Sequence, residues 1–155
     1  MQELEAPKLE LFATLSVQVA TPIEIGQVNG GRRRVIPILG GELRGPQVSG
    51  RVLEAGADFQ LVQPDGVADL DARYVIQLDD GTNVFVANRA MRRASLEVTE
   101  KLVRGEAVDP ALVYFRCMPR FEVTEGRWRW LAESLFVGTG VRRPDTVEMA
   151  FYRLM

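Results

Sequence analysis

Carboxylate, amide, guanidinium and phenol side chains recur inside stretches of this sequence that alternate between polar and apolar residues. Alternation with a period of two places Asp58 and Gln60 on one face of an extended segment. The same spacing places Arg73, and then Tyr114 and Arg116, on the more polar faces of two later segments. If these faces meet inside the protein, they predict a pocket for a small anionic or carbonyl-bearing molecule, because Arg binds a carboxylate through paired hydrogen bonds.

Two carboxylates are the candidates for moving a proton. Asp58 and Glu133 are the predicted catalytic residues. Burial would raise the pKa of Asp58, whereas a neighbouring Arg73 would lower it. The predicted ligand-binding residues are Gln60, Arg73, Tyr114, Arg116 and Trp130. The opposite interpretation stays open, in which the mixed faces are the solvent side of the sheet and pair Asp with Arg for about 0 to 1 kcal/mol.

The residue types that are missing exclude much familiar catalysis. The sequence contains no histidine and one cysteine, which removes Ser-His-Asp and Cys-His catalysis and His-ligated metals. Cys117 alternates with Arg116 and is expected to be a small buried hydrophobe. The acidic residues lack calcium-loop spacing and the glycines lack a phosphate-loop context. Neither a metal nor any other cofactor is expected.

The charge and hydropathy of the sequence argue against some classes of binding partner. The chain has 19 basic and 21 acidic residues, which gives no electrostatic reason to bind nucleic acid or an anionic membrane. No stretch approaches the ~20 apolar residues of a membrane span, and the N-terminus lacks the basic start and apolar run of a signal peptide. We expect a cytoplasmic protein whose partner is a small organic ligand.

Extended segments must position these side chains. Alternation and turn residues predict strands at residues 9–19, 33–38, 48–53, 59–63, 72–78, 83–87, 112–118, 131–138 and 146–154. Pro37 predicts an edge or a bulge in its strand, and Asp79-Asp80-Gly81 predicts a hairpin turn. One short helix is predicted between Ser95, as its cap, and Gly105.

Eight to ten strands and one short helix define an all-β sequence. The length of 155 residues suits one core, so residues 1–155 are predicted to form a single domain, with residues 1–8 as a loose N-terminal segment. Regularly spaced antiparallel strands favour a barrel or a sandwich, and closure into a barrel removes exposed sheet edges.

Short blocks spread along the chain resemble a known family. The N-terminal half contains Gly40-Gly41, Gly45-Pro46, Gly56-Ala57-Asp58-Phe59, Pro64-Asp65-Gly66 and Leu70-Asp71-Ala72-Arg73-Tyr74. The C-terminal half contains Tyr114-Phe115-Arg116, Pro119-Arg120-Phe121-Glu122, Trp130-Leu131 and Phe136-Val137-Gly138. From about residue 9 onward the combination resembles family 3237 of the domains of unknown function, which are small bacterial and fungal proteins. The resemblance implies a single antiparallel β-barrel, similar to lipocalin-like or allene-oxide-cyclase-like barrels.

Three classes of function are compatible with these patterns. The first is a cofactor-independent isomerase, cyclase or lyase that acts on a small carbonyl or carboxylate compound. The second is a ligand-binding barrel without catalysis, and the third is a structural or oligomer-forming protein whose barrel is filled with side chains. Self-association into a homo-oligomer is an expectation under each, because small barrels commonly bury an apolar outer face against a copy of themselves.

Overall fold

Ten β-strands follow one another around a closed cylinder in the computed structural model, which describes residues 1–155. The strands are β1 Leu9–Val19, β2 Ile23–Val28, β3 Gly31–Arg44, β4 Ser49–Val52, β5 Ala57–Val62, β6 Val67–Leu78, β7 Asn83–Arg93, β8 Tyr114–Glu122, β9 Phe136–Arg142 and β10 Thr146–Leu154. One α-helix, α1 (Leu96–Val103), follows β7, and short 3-10 helices span Pro110–Leu112 and Arg129–Glu133. None of the helices has the length and the hydropathy of a membrane-spanning segment.

All strand pairs are antiparallel, and the barrel has eight strand positions. The long strand β3 accounts for the difference between eight positions and ten strands. Its first half lies between β2 and β5, and its second half lies between β1 and β4. From β6 onward each strand pairs with the next, and β10 returns to β1 and closes the barrel. The prediction of a single antiparallel barrel is confirmed.

The change of neighbours along β3 depends on local sequence. Gly41 has φ +147, and a Cβ there would collide with the backbone oxygen of Ser16 in β1, so only glycine permits this close crossing. Pro37 lies at the end of the β5 ladder, and the register against β1 shifts between the pairs Gln18–Gly40 and Val19–Ile38. The expected bulge near Pro37 is therefore present in an otherwise continuous strand.

The predicted strands agree with the structure best at the two ends of the chain. The bounds of β1 and β10 are those predicted, and Ser95 caps α1 by accepting a hydrogen bond from the backbone nitrogen of Val98 at 3.2 Å. The strand predicted at residues 131–138 is wrong in its first half, because Arg129–Glu133 is a 3-10 helix and β9 begins at Phe136. The strand predicted at residues 83–87 continues to Arg93.

The two ends of the barrel interior are filled differently. One end holds a core that includes Phe12, Phe121, Phe136 and Phe151. The rings of Phe121 and Phe136 pack edge to face with centroids 4.9 Å apart, a favourable geometry for aromatic pairs. At the other end, a smaller cluster comprises Val62, Ala68, Leu70, Val103 and Phe115. Because Val103 belongs to α1, the helix covers the end that lacks the aromatic core.

Candidate functional site

Strand β5 directs two of the predicted site residues into the barrel. Phe59 and Leu61 alternate with Asp58 and Gln60, and Phe59 is exposed while Gln60 is buried. Asp58 is partly exposed as a residue, but its Oδ1 atom is buried. The period-two pattern assigned the faces of β5 correctly.

Strand β6 has the opposite orientation from the one predicted. Leu70, Tyr74 and Ile76 face the interior and are buried. Arg73 lies on the outer face with its side chain 59% exposed, 3.4 Å from Asp71. The prediction that Arg73 lines the lumen is wrong, because the more apolar face of the strand enters the core of a small closed barrel.

Strand β8 is reversed in the same way. Phe115, Cys117 and Phe121 are buried, whereas Tyr114 and Arg116 lie on the outside. The guanidinium of Arg116 lies over the Tyr114 ring at 5.3 Å from its centroid, so the two predicted ligand-binding residues form a surface contact. The prediction that Tyr114 and Arg116 line the lumen is wrong. Cys117 is buried as expected, and burial raises the pKa of its thiol to about 11.

The two remaining predicted residues lie at the aromatic end of the barrel. Trp130 packs edge to face against Phe12, with centroids 5.6 Å apart. Glu133 is exposed and accepts a hydrogen bond from Arg129 Nε at 2.9 Å. Both residues belong to the 3-10 helix that replaces the predicted strand, so neither lines the cavity that contains Asp58.

An internal cavity lies between the aromatic core and α1. It is lined by 16 residues, and every strand position of the barrel contributes at least one of them. Its volume of about 40 Å³ corresponds to roughly three water molecules at 10–15 Å³ each. A larger ligand has to extend through the cavity mouth or displace side chains. The polar lining residues are Asp58, Gln60, Tyr74, Asn88, Arg92 and Arg142.

Unpaired polar atoms concentrate at this cavity. Five buried side-chain atoms have no hydrogen-bond partner within the protein: Asp58 Oδ1, Tyr74 OH, Asn88 Oδ1, Arg92 Nη2 and Arg142 Nη1. All five belong to residues that line the cavity. Buried polar groups are nearly always paired in native proteins, and unpaired ones require an explanation. The arrangement offers both donors and acceptors to a molecule in the cavity.

A chain of hydrogen bonds orients Asp58. Its Oδ2 accepts a hydrogen bond from Gln60 Nε2 at 2.9 Å, and Gln60 Oε1 accepts one from Arg34 Nη1 at 3.3 Å. Arg34 also donates to Glu24 Oε1 at 2.8 Å and to the backbone oxygen of Val103 at 3.0 Å. Gln60 therefore uses its amide to position Asp58, and the second carboxylate oxygen of Asp58 is left without a protein partner.

Burial dominates the electrostatics of the cavity. It raises the pKa of Asp58, although the hydrogen bond from Gln60 and the charges of Arg92 and Arg142 act in the opposite direction. Burial lowers the pKa of Arg92 to about 10 and also lowers that of Arg142, so Arg92 remains charged at neutral pH. Burial raises the pKa of Tyr74 and keeps its phenol protonated as a donor.

Sequence reasoning missed Arg92, Arg142 and Asn88. The alternation of β7 places Val84, Val86, Asn88, Ala90 and Arg92 on one face, so extension of the predicted strand beyond Ala87 would have found two of them. Arg142 ends β9, where Gly138 and Gly140 share its face. The predicted strand ended at Gly138, so Gly140 and Arg142 lay beyond it.

The side chains that line the cavity indicate which kind of ligand it suits. No three Cys, Asp or Glu side chains cluster closely enough to hold a metal ion anywhere in the structure. The cavity presents one carboxylate beside two guanidinium groups. This donor set fits an anion better than a cation.

Fold and site together define an up-and-down antiparallel β-barrel that encloses a partly polar cavity under a short helix. The chain belongs to the family described as "Protein of unknown function (DUF3237)", whose model matches residues 7–154. The family resemblance expected from the sequence is confirmed.

Relatives and solved structures agree with this assignment. A UPF0311 protein of Rhodopseudomonas palustris is 41% identical over 142 residues, covering 92% of this chain and 93% of the relative. The crystal structure of a conserved protein of unknown function from the same species has a TM-score of 0.92 at 37% identity and covers 98% of this chain and 100% of that one. A "beta-barrel like protein" from Acinetobacter baumannii has a TM-score of 0.87 at 34% identity and covers 100% of both chains.

A more distant structure shares the fold. "An enzyme from Penicillium herquei" has a TM-score of 0.75 at 18% identity and covers 100% of this chain and 99% of that one. This likeness concerns the fold alone.

Proposed function

We propose that this barrel is a cofactor-independent isomerase, cyclase or lyase, and that it acts on a small carbonyl or carboxylate compound bound in the cavity. The observation that carries the proposal is the convergence of five unpaired buried polar atoms on one cavity, with Asp58 Oδ1 among them. A barrel filled only for stability gains nothing from unpaired polar atoms, because each costs about 1–3 kcal/mol of desolvation.

Asp58 has the features of a general base. Burial raises its pKa, which makes the carboxylate a stronger base than an exposed aspartate. Gln60 holds one oxygen at 2.9 Å, and the other has no protein partner. Glu133, the other predicted catalytic carboxylate, is exposed at the far end of the barrel and has no part in this proposal.

The proposed step is proton abstraction from a carbon next to a carbonyl. Asp58 Oδ1 takes the proton, the C–H electron pair forms a C=C bond, and the negative charge moves to the carbonyl oxygen. The phenol of Tyr74 and the guanidinium groups of Arg92 and Arg142 are the donors that can stabilise this charge. Protonated Asp58 then returns the proton to another carbon, or to a leaving group whose bond to carbon breaks as the enolate electrons re-form the carbonyl. Alternatively, the enolate carbon attacks a second carbonyl of the same molecule and closes a ring, and the alkoxide formed there takes the proton from Asp58.

Hydrogen exchange of small ketones tests the step. The protein is incubated in D2O with pyruvate, 2-oxobutyrate, acetoacetate or 2-butanone, and 1H NMR follows the loss of the signals next to the carbonyl. Asp58→Asn should slow the exchange by about 10²–10⁴-fold, the usual contribution of a general base. The matched control is Asp69→Asn, on the outer face with its side chain 46% exposed, which should exchange at the wild-type rate.

The same measurements distinguish an enzyme from the alternative, a ligand-binding barrel without catalysis. Saturable binding of these compounds with exchange no faster than in buffer would refute the enzymatic proposal and favour a carrier. Equal exchange rates in wild-type protein and Asp58→Asn would refute the role of Asp58.

A further inference from the structure

We propose that the group recognised in this cavity is a carboxylate, bound between the guanidinium groups of Arg92 and Arg142. The inference rests on the proposed function and names its substrate class, a small organic monocarboxylate. It assigns the recognition to two residues on strands β7 and β9, which are separated in the barrel by β8.

The first argument is the position of the two guanidinium groups. Arg92 is 3% exposed, on the inner face of β7, and its Nη2 has no partner within the protein. Arg142 ends β9, and its Nη1 is also buried and unpartnered. Both side chains line the same cavity. Two N–H donors from two guanidinium groups match the two oxygens of one carboxylate.

The second argument is charge balance. Arg34, Arg92 and Arg142 are close enough for their positive charges to oppose one another. Three carboxylates lie near them: Glu24 pairs with Arg34 at 2.8 Å, Asp58 acts on both Arg92 and Arg142, and Asp145, at an exposed position, acts on Arg142. Inside the cavity, the positive charges of Arg92 and Arg142 therefore face the single carboxylate of Asp58. Since unpaired buried charge is unfavourable, a monoanion in the cavity would stabilise this arrangement more than a neutral carbonyl compound.

The third argument is the space between the charged groups. Neither Arg92 nor Arg142 forms an ion pair with Asp58 within 4.0 Å, although all three residues line one cavity. A carboxylate held by the arginines would leave Tyr74 as the donor to the carbonyl oxygen of the ligand, and the carbon next to that carbonyl in the space that Asp58 lines. The apolar side chains of Phe115, Val147 and Met149 line the same space and suit a short carbon chain.

The test compares pyruvate with pyruvamide, its neutral analogue of the same size, by NMR titration at neutral pH. We expect saturable binding of pyruvate and at least about tenfold weaker binding of pyruvamide. Arg92→Gln and Arg142→Gln should each weaken pyruvate binding by about tenfold or more, the loss of one charge-assisted hydrogen bond. The control is Arg120→Gln, on the outer face of β8, which should bind pyruvate as the wild type does.

Two arginine variants are used so that the test can still be made if one of them does not fold. Circular dichroism establishes that each arginine variant is folded, and Arg142→Gln alone carries the test if Arg92→Gln does not fold, because Arg142 is the less buried of the two. Equal affinities for pyruvate and pyruvamide, unchanged pyruvate binding in the folded variants, or the absence of saturable pyruvate binding would each overturn the inference.

Asp58→Asn separates this inference from the proposed catalysis. We expect that variant to bind pyruvate at least as tightly as the wild type, because it lacks a competing negative charge, while it loses hydrogen exchange. Arginine-dependent pyruvate binding without exchange of any compound would support carboxylate recognition and refute the enzyme. Exchange that depends on Asp58 but is equally fast with pyruvamide and insensitive to both arginine substitutions would refute carboxylate recognition and support the enzyme.

Discussion

Arg34 connects the candidate site to the fold, and its replacement gives the sharpest test of this connection. The side chain is 3% exposed and donates hydrogen bonds to Glu24, to Gln60 and to the backbone oxygen of Val103 in α1. Arg34→Gln is too short to reach all three partners. It leaves the amide oxygen of Gln60 and the carbonyl of Val103 without their donor, and it releases the residue that positions Asp58.

The expected loss of stability follows from these contacts. Removal of one partner from a buried charged network costs about 3–5 kcal/mol. The loss of Arg34 also removes its repulsion of Arg92 and Arg142, so we expect a value near the lower end, about 3 kcal/mol. For a chain of 155 residues, each kcal/mol lowers Tm by roughly 2–4 °C, which predicts a decrease of roughly 6–12 °C.

The matched control is Arg32→Gln. Arg32 lies on the same strand and contacts the same Glu24 at 3.3 Å, but its side chain is 35% exposed, so its replacement should cost no more than about 1 kcal/mol. Urea unfolding, followed by the fluorescence of Trp128 and Trp130, measures both variants. If the free energies of unfolding of the two variants differ by less than about 1 kcal/mol, the reasoning that burial decides the strength of these contacts is refuted.

Two further predictions concern pH and packing. Because burial raises the pKa of Asp58 in the folded state, this residue binds more protons in the folded protein than in the unfolded chain above pH 3.8, and its contribution to stability falls as pH rises through the folded pKa. Asp58→Asn should lack this fall, so urea titrations should show it gaining stability relative to the wild type as pH increases; a constant difference would contradict the assignment. Gly138→Ala should lower the free energy of unfolding by about 1–3 kcal/mol, because its Cβ would lie 2.6 Å from the backbone oxygen of Ala150 and 2.7 Å from Cys117 Sγ. Thr139→Ala, at the exposed neighbouring position, should be nearly neutral in the same assay.

Fold class could be predicted from the sequence because its signals are local. Alternation along residues 9–19 and 146–154 identified β1 and β10 within their observed bounds, since a half-buried strand requires period two. The 3-10 helix at Arg129–Glu133 could not be predicted in this way. The apolar residues Trp128, Trp130 and Leu131 are equally compatible with a strand. Aromatic packing at the end of the barrel determines the conformation of that segment.

The orientation of each strand was harder to predict than its existence. Along β6 both faces contain apolar residues, and the choice between Arg73 and Tyr74 for the interior depends on neighbours far along the chain. Assigning the more polar face to the lumen assumes a polar pocket along the whole barrel. The structure has polar lumen residues only near the α1 end, where Asp58 and Arg92 project inward from β5 and β7. A rule that placed the more apolar face inward would have oriented β6 and β8 correctly. It would have oriented β5 wrongly, because β5 exposes Phe59 and buries Gln60, which bonds to Arg34.

The cavity results from this uneven filling of one barrel. At one end, Phe121, Phe136 and Phe151 fill the interior with large rings. At the other end, Arg92 and Arg142 enter the cavity from separate strands and their positive charges repel each other, with Asp58 as the only carboxylate that lines the cavity. Side chains of like charge cannot pack against one another to fill such a space, whereas hydrophobic side chains can. Under the proposed function, the same positive charges favour an anionic ligand.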